Sequence, residues 1–531
     1  MTETPAQAFA AHLLANLVGS LDIGHIFLAP GSRSQALAVA AEQLASTGKA
    51  KLHVRIDERS MAFAALGTAL ATQTPVIVIT TSGTAVANLH PAVLEAHHSG
   101  VPLLLLTADR PEELRGVGAN QTTDQVGLFG TAVPVVFDVE APNDVAAEPQ
   151  RARDLVAAVA SAFKEQGGPV QLNLAFREPL SSALPNAAEI MPELSVAEDN
   201  SPNVEWAVLD ATIPTVVIAG AGAGEEAVEL AESFGWPLFA EPSSGARFGM
   251  NAIVGYRRLL QQQHDLAAQI KRAIVFGKPT LSRQINALFF NEQIETVVVN
   301  SKSHGKFDPA NRAAKFVDEI SVDDEVDFDW LAAWRQADAE NQFTLSNKLD
   351  RANLVHEVYA ATESKDCIVL GASRLIREAD SMAPAKPVAV FSNRGLAGID
   401  GTIATATGIA IANHDFFIDH GVDSIGITRA LMGDITALHD ISSLAIDSHD
   451  GDLNLQVIVG NDGGGTIFET LEIADTIDDQ AFDRLFRTRQ TADFWHLAEA
   501  YGWQYLRVES LEQLAPALQT RGRVLIEALI Y

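Results

Sequence analysis

Two short segments near the C-terminal end carry residue types able to hold a metal ion. Gly433-Asp434-Ile435 and Asn461-Asp462-Gly463-Gly464-Gly465 are set apart by twenty-six residues between Asp434 and Asn461. A carboxylate, an amide oxygen and a carbonyl released by the glycines make a hard, all-oxygen half-shell. Mg²⁺ accepts such a shell when phosphate oxygens and water complete its octahedron, so a metal diphosphate is the expected ligand. The elements that must position these groups can be read on either side. Residues 426–432 read as a strand, 436–446 have helical spacing (Leu438, Ile441, Leu444), and 455–459 are apolar except for Gln456 and read as a second strand. Parallel strands joined by a helix bring their ends to one edge of the sheet, where open α/β folds bind ligands. Gly-Asp and Asn-Asp-Gly are also common turn formers, so spacing alone leaves a purely structural reading open.

The whole chain has 531 residues, enough for three domains of ordinary size, and its 47% hydrophobic and 20% charged content is that of a globular protein. A net charge of −31 argues against nucleic acid and anionic membrane surfaces as partners. It also means that arginines binding an anionic ligand must be placed against the global field. The single cysteine, Cys367, forbids an intrachain disulfide and has no His or Cys neighbour that would make it a site. No Lys or Arg precedes Arg33 and no apolar run reaches membrane-spanning length, so a cytoplasmic location is expected.

Strands and helices alternate over residues 1–180. Helix 8–21 leads to strand 25–29, the turn Pro30-Gly31-Ser32-Arg33-Ser34 and a helix to about residue 44. Strand 52–55 and Asp57-Glu58-Arg59-Ser60 follow, then strands at 75–80 and 101–107. Short Val/Ile/Leu runs of this kind are the mark of buried parallel strands. Residues 181–207, rich in Pro, Asn and acid, read as a linker. A second α/β unit, 208–317, opens with a strand into Gly220-Ala-Gly222-Ala-Gly224. With Glu241 as a ribose acid this invites a dinucleotide reading, but such glycines also simply permit close helix–strand packing, which is the preferred account. The acidic stretch 318–329 reads as a second linker, and 350–531 as a third α/β unit. The expected fold is therefore α/β, three consecutive doubly wound parallel-sheet domains.

Glu58 follows a strand and opens a helix, where an acid is favoured by the macrodipole alone. Its surroundings are more specific. Gly-Asp, a spacer of this length and Asn resemble the metal-diphosphate motif of thiamine-diphosphate (ThDP) enzymes; that motif usually begins Gly-Asp-Gly, and here Ile435 stands in place of a glycine that supplies no ligand. Ala-Pro-Gly-Ser-Arg-Ser, Asp-Glu-Arg-Ser, Thr-Ser-Gly-Thr-Ala-Val-Ala-Asn, Thr-Ala-Asp-Arg-Pro-Glu-Glu-Leu-Arg-Gly-Val-Gly-Ala-Asn-Gln and Ser-Asn-Arg-Gly-Leu-Ala-Gly-Ile-Asp-Gly occur in that order. Together they closely resemble the 2-succinyl-5-enolpyruvyl-6-hydroxy-3-cyclohexene-1-carboxylate synthase branch of the family, transferases of menaquinone biosynthesis.

The resemblance implies a pyrimidine-binding domain at 1–180, a central Rossmann-like domain at 208–317 and a diphosphate-binding domain at 350–531. Glu58 would hydrogen-bond N1′ of the aminopyrimidine, favouring the imino tautomer whose nitrogen takes the thiazolium C2 proton; a carboxyl group raised by burial suits that task. Asp434, Asn461 and the Gly463 carbonyl would hold Mg²⁺ (or Mn²⁺), and Ile399 would wedge the cofactor into its bent form. The implied substrates, 2-oxoglutarate and isochorismate, are dicarboxylates, which arginine forks suit. The substrate set carried over is Ser32, Arg33, Arg110, Asn120, Gln121, Arg283, Ser373, Arg377, Arg394, Ile467 and Phe468. The family usually reads Gly-Gly-Gly-Ile-Phe after the asparagine; Thr466 here adds a residue ahead of Ile467 and Phe468. A homodimer or dimer of dimers is implied, with the site shared between subunits. The implied reaction is decarboxylation of 2-oxoglutarate and 1,4-addition of the succinyl carbanion equivalent to isochorismate. The competing readings are another ThDP-dependent 2-oxoacid decarboxylase or carboligase, and a non-catalytic ThDP-fold regulatory protein. The first is opposed by an arginine set too rich for a monoanion, the second by retention of Glu58 with Asp434 and Asn461.

Overall fold

A computed structural model of the chain describes residues 3–182, 205–262, 265–299, 307–322, 328–422 and 424–530. Most of the expected linker 181–207 lies outside them. The chain divides into two compact units: the first takes the chain to Asn200 together with Ala404–Phe416 and Ser442–Leu453, and the second takes the remainder.

In the first unit, β1 (His25–Leu28), β2 (Lys51–Val54), β3 (Val76–Thr80), β4 (Leu103–Asp109), β5 (Val136–Val139) and β6 (Val170–Ala175) form one parallel sheet in the order β2-β1-β3-β4-β6-β5. Every residue of β1, β3, β4 and β6 is buried, as strands covered on both faces must be. Behind β2, helix Glu58–Thr72 is capped by the Asp57 carboxylate, which accepts from the Arg59 and Ser60 amides at 2.9 and 3.3 Å. Near its middle the helix crosses the segment around Gly408 so closely that backbones touch. A Cβ on Gly67 would lie 2.0 Å from the Thr405 carbonyl oxygen, and one on Gly408 1.9 Å from that of Ala64. The Thr68 hydroxyl bridges this crossing, donating to the Ala64 and Gly408 carbonyls at 3.1 Å each. The crossing fixes the helix that begins with Glu58.

In the second unit, β7 (Trp206–Leu209) is followed by β8 (Thr215–Ala219), β9 (Leu238–Ala240), β10 (Arg272–Phe276), β11 (Glu295–Val299) and β12 (Lys315–Val317). The last five make a parallel sheet ordered β12-β11-β10-β8-β9. β13 (Glu319–Val322) pairs with β7, so the acidic stretch expected as a linker at 318–329 opens as a strand. Its 323–327 portion lies outside the described residues, and helix Phe328–Glu340 begins inside it. The alternation Glu319-Ile320-Ser321-Val322 is a strand pattern that the surrounding acids obscured. Then β14 (Cys367–Leu370), β15 (Ala389–Phe391), β16 (Thr428–Gly433), β17 (Leu455–Asn461), β18 (Gln504–Val508) and β19 (Arg523–Leu529) form a parallel sheet ordered β15-β14-β16-β17-β19-β18. Counted in chain order, this repeats the strand order of the first sheet.

The expected helix 436–446 is not continuous. Asp434–His439 makes a short helix and Ile441–Leu444 a 3₁₀ turn, within which the chain passes from the second unit to the first at Ser442 and stays there to Leu453. Leu453 is part of that unit's core and Ile446 packs against it. Of the residues with helical spacing, Leu438 and Ile441 stay with the second unit and Leu444 falls in the first. Among the described residues no helix is long and apolar enough to cross a membrane.

Candidate active site

The strand order of the last sheet reverses between β14 and β16, the place where open α/β sheets form a crevice at their C-terminal edge. β16 ends in Gly433, paired with Gly460 of β17, so that Asp434 and Asn461 leave neighbouring strands at one edge. A cavity of about 440 Å³ opens there. It is lined by Ser373, Arg374 and Arg377 after β14, by Arg394 and Ile399 after β15, by Asp434 after β16, by Ile467 and Phe468 after β17, and by Thr280 and Leu281 after β10. Of the expected residues in this unit, Ser373, Arg377, Arg394, Ile399, Asp434, Ile467 and Phe468 are thus brought together. The Ser373 hydroxyl caps helix Arg374–Met382, accepting from the Leu375 amide at 3.2 Å. The extra Thr466 does not displace Ile467 and Phe468 from the wall; its hydroxyl is tied to Asp462 at 2.6 Å.

Asp434 is buried, and its carboxyl is pushed up to about 6. Loss of solvent is the main cause, with the negative Asp462 adding to it; the amides of Ile435 and Gly464 oppose it. The Ile435 amide donates to it at 2.8 Å. Asp462 itself is neutralised by Arg351 at 2.6 Å. Asn461 gives its amide N–H to Glu527 at 2.6 Å, which orients its oxygen toward the glycine loop, where it accepts from the Gly463 amide at 3.1 Å. A desolvated carboxylate and an oriented amide oxygen fit a hard divalent cation. The Gly463 carbonyl, the third expected donor, accepts from Arg489 at 3.4 Å, a contact that a cation would replace. The loop tolerates no side chain at its centre: Gly464 has φ +130°, and a Cβ there would lie 2.3 Å from the Arg487 carbonyl oxygen. Among the described residues no group of three or more His, Cys, Asp or Glu is placed to hold a metal ion.

The cavity lining is also cationic. Arg377 is held below the usual guanidinium range by burial first, then by Arg257, Arg283 and Arg394. Guanidiniums close enough to destabilise one another's charge form a ready site for a dianion. Arg394 donates to the Thr280 hydroxyl at 2.7 Å. Arg283 does not line the cavity; its exposed side chain pairs with Glu472 at 3.3 Å.

The remaining expected residues belong to the first unit. Glu58, half-buried at the start of its helix, accepts from the Asn88 amide at 3.4 Å. Arg33 is buried and donates to the Phe176 carbonyl at 3.0 Å, while Ser32 beside it is exposed. Arg110 donates to the Ser82 hydroxyl and, at 2.8 Å, to the Gln121 carbonyl; burial and the nearby Arg33 lower its pKa. Gln121 takes a left-handed φ of 52° and donates to the Ser82 carbonyl at 3.0 Å, whereas Asn120 is exposed. Ser32, Arg33, Arg110 and Gln121 therefore sit at the β1, β3 and β4 ends of the sheet. A cleft of about 550 Å³ beside β4, bounded by Asp109, Arg115 and residues 122–126, has none of them in its wall.

Sequence reading missed Thr280, Leu281, Arg374, Arg351, Asp462 and Glu527. Asp462 lies inside the Asn461–Gly465 segment and Arg374 directly follows Ser373; the others reach the site only through tertiary contacts. Glu241, weighed as a ribose acid, is fully buried and accepts from the Leu281 and Thr280 amides at 2.7 and 3.3 Å, which leaves it no nucleotide to meet.

Residues 9–128 match the family model described as thiamine pyrophosphate enzyme, N-terminal TPP binding domain. Curated proteins named 2-succinyl-5-enolpyruvyl-6-hydroxy-3-cyclohexene-1-carboxylate synthase are similar along nearly all of the chain. The one from Leifsonia xyli subsp. xyli is 44% identical over 97% of this chain and 95% of its own. That from Clavibacter michiganensis subsp. michiganensis is 43% identical over 98% and 95%, and that from Saccharopolyspora erythraea 35% over 97% and 94%. With identity of this extent over both chains, and a cavity whose wall joins Asp434 to a cluster of arginines, the chain belongs to the 2-succinyl-5-enolpyruvyl-6-hydroxy-3-cyclohexene-1-carboxylate synthase family of thiamine-diphosphate enzymes.

Proposed function

We propose that the chain decarboxylates 2-oxoglutarate and adds the succinyl carbanion equivalent to isochorismate in a 1,4-addition, releasing CO₂, as a step of menaquinone biosynthesis. The observation that carries this reading is the guanidinium cluster of Arg377 and Arg394 lining the same cavity as Asp434, in a chain of net charge −31. Bound ThDP supplies the nucleophilic carbon and the electron sink that the decarboxylation requires. The chain's own residues bind, orient and move a proton. Asp434 and Asn461, with the Gly463 carbonyl, would hold Mg²⁺ or Mn²⁺, which would neutralise the charge of a bound diphosphate. Arg377 and Arg394 fix substrate carboxylates by charge-assisted forks, and Arg33 and Arg110 offer further cationic groups on the first unit. Ile399 would support the cofactor, and Ile467 and Phe468 would make apolar contacts to substrate. Glu58 holds a proton at the pyrimidine N1′, the one acid–base role assigned to a side chain.

The division into domains at 1–180, 208–317 and 350–531, a homodimer or dimer of dimers, and a cytoplasmic location complete the reading. A different 2-oxoacid acceptor chemistry is the alternative, and the crowding of cationic groups favours two dianionic substrates over it. The test is loss of isochorismate absorbance in purified protein with ThDP, Mg²⁺ and 2-oxoglutarate. Loss that requires all three supports the assignment; turnover of pyruvate in place of 2-oxoglutarate, or no loss, rejects it.

A further inference from the structure

We infer that Glu241 is a positioning residue for substrate recognition: its carboxylate clamps the Thr280–Leu281 turn, and through the Thr280 hydroxyl it fixes the Arg394 guanidinium at the cavity wall. The inference rests on the reading of Arg394 as a carboxylate-binding group. Glu241 stands at the end of β9, 1% exposed, and its two oxygens accept from two consecutive backbone amides, Leu281 at 2.7 Å and Thr280 at 3.3 Å. Those amides open the turn after β10 whose residues line the cavity. The next link is the 2.7 Å hydrogen bond from Arg394 to the Thr280 hydroxyl. A buried acid two hydrogen bonds away from a guanidinium thus decides where that guanidinium stands.

The surroundings of Glu241 show that the arrangement is costly and therefore specific. Its carboxyl is pushed up to about 8, by burial first and then by the negative Asp380, while the Leu281 amide, Arg394 and the Thr280 amide oppose the shift. Asp380 is equally buried; it accepts from the Tyr256 hydroxyl and stands 3.8 Å from Arg257. The Arg247 guanidinium closes the far side, donating to the Ala240, Ala383 and Asp380 carbonyls. Accepting from both amides takes two side-chain oxygens, and an amide side chain has only one. Of the neighbouring guanidiniums, Arg394 is the one that lines the cavity, while Arg247 and Arg257 serve Asp380.

The experiment compares wild-type holoprotein, loaded with ThDP and Mg²⁺, with Glu241→Ala and Glu241→Gln. The probe is 2-oxoglutarate, titrated calorimetrically, with ThDP affinity and thermal melting measured on the same samples. Glu241→Ala leaves both amides without an acceptor, and 2-oxoglutarate should bind about tenfold or more weaker while ThDP affinity stays within twofold. Glu241→Gln keeps the volume and one acceptor, and should fall between the two. In turnover, the change should appear in KM for one dicarboxylate before it appears in kcat. Unchanged 2-oxoglutarate affinity in Glu241→Ala, or a parallel fall of ThDP and 2-oxoglutarate affinity, would overturn the assignment. Should Glu241→Ala not fold, hydrogen exchange at the Thr280 and Leu281 amides of Glu241→Gln decides: faster exchange with weaker 2-oxoglutarate binding supports the clamp, and unchanged values of both overturn it. A wild-type protein that binds 2-oxoglutarate yet consumes no isochorismate would reject the proposed function while leaving the variant comparison valid.

Discussion

Replacing Asp434 by Asn should stabilise the cofactor-free protein and abolish its response to cofactor. In the folded chain the carboxyl is pushed up to about 6 from an ordinary 3.8, by burial first and by Asp462 second. A raised carboxylate pKa means that the fold holds the proton more tightly than the unfolded chain does. Below about pH 4 the group is protonated in both states and costs nothing. Between pH 4 and 6 the unfolded chain loses its proton first, so the fold is progressively destabilised, and above 6 the penalty is complete. A shift of some two units corresponds to about 3 kcal/mol at most. A divalent cation at the carboxylate removes that penalty, which links cation binding to stability. The assay is thermal melting of wild type and Asp434→Asn at pH 5 and pH 7.5, each with and without ThDP and Mg²⁺. Without cofactor the Asn variant should melt above wild type at pH 7.5, with the gap narrowing at pH 5; with cofactor only wild type should gain, and more at pH 7.5. An Asn variant that melts below cofactor-free wild type at pH 7.5, or that gains equally from ThDP and Mg²⁺, would refute the reasoning.

Gly408→Ala should destabilise the first unit by about 1–3 kcal/mol or more, because its Cβ would meet the Ala64 carbonyl at 1.9 Å; an unchanged melting temperature would contradict the close crossing. Arg429→Ala should cost about 3–5 kcal/mol, since it strips the fully buried Asp366 of a partner at 2.7 Å; denaturant unfolding measures it, and a loss below about 1 kcal/mol would show the pair to be dispensable. Glu58→Gln should leave ThDP bound while slowing exchange of its C2 proton for deuterium by about 10²–10⁴-fold; wild-type exchange would remove Glu58 from proton chemistry. Arg394→Gln should raise KM for a dicarboxylate far more than it weakens ThDP binding, by a loss of about 2–5 kcal/mol in kcat/KM; an unchanged kcat/KM for both substrates would make Arg394 structural.

Short β-branched and leucine runs made β1, β3, β8 and β17 legible, because a strand buried on both faces has little freedom in composition. The edge where Asp434 and Asn461 meet was legible for the same reason: parallel strands joined by a crossover leave their ends together. The crossover itself was not. Leu438, Ile441 and Leu444 satisfy helical spacing, yet the chain breaks after His439 and sends 442–453 to the first unit, a choice that periodicity cannot express. Strand β13 was hidden by acids on either side of Ile320 and Val322. Glu241 was visible as an acid after a strand, but its purpose depends on the Thr280 and Leu281 amides some forty residues later. Glu527, which turns Asn461, comes from a strand sixty-six residues on. Long-range hydrogen bonds of this kind leave no local signal.

The most direct test of the account follows the carbon atoms. Protein with ThDP and Mg²⁺ is given isochorismate and either 2-oxoglutarate labelled with ¹³C at C1 or the same acid labelled at C5, and both CO₂ and product are analysed by mass spectrometry. The account predicts that the C1 label leaves entirely as CO₂ and that the C5 label is retained in a product containing isochorismate plus the four remaining carbons of the oxoacid. C1 label in the product, or labelled CO₂ released with no adduct of isochorismate, would contradict it.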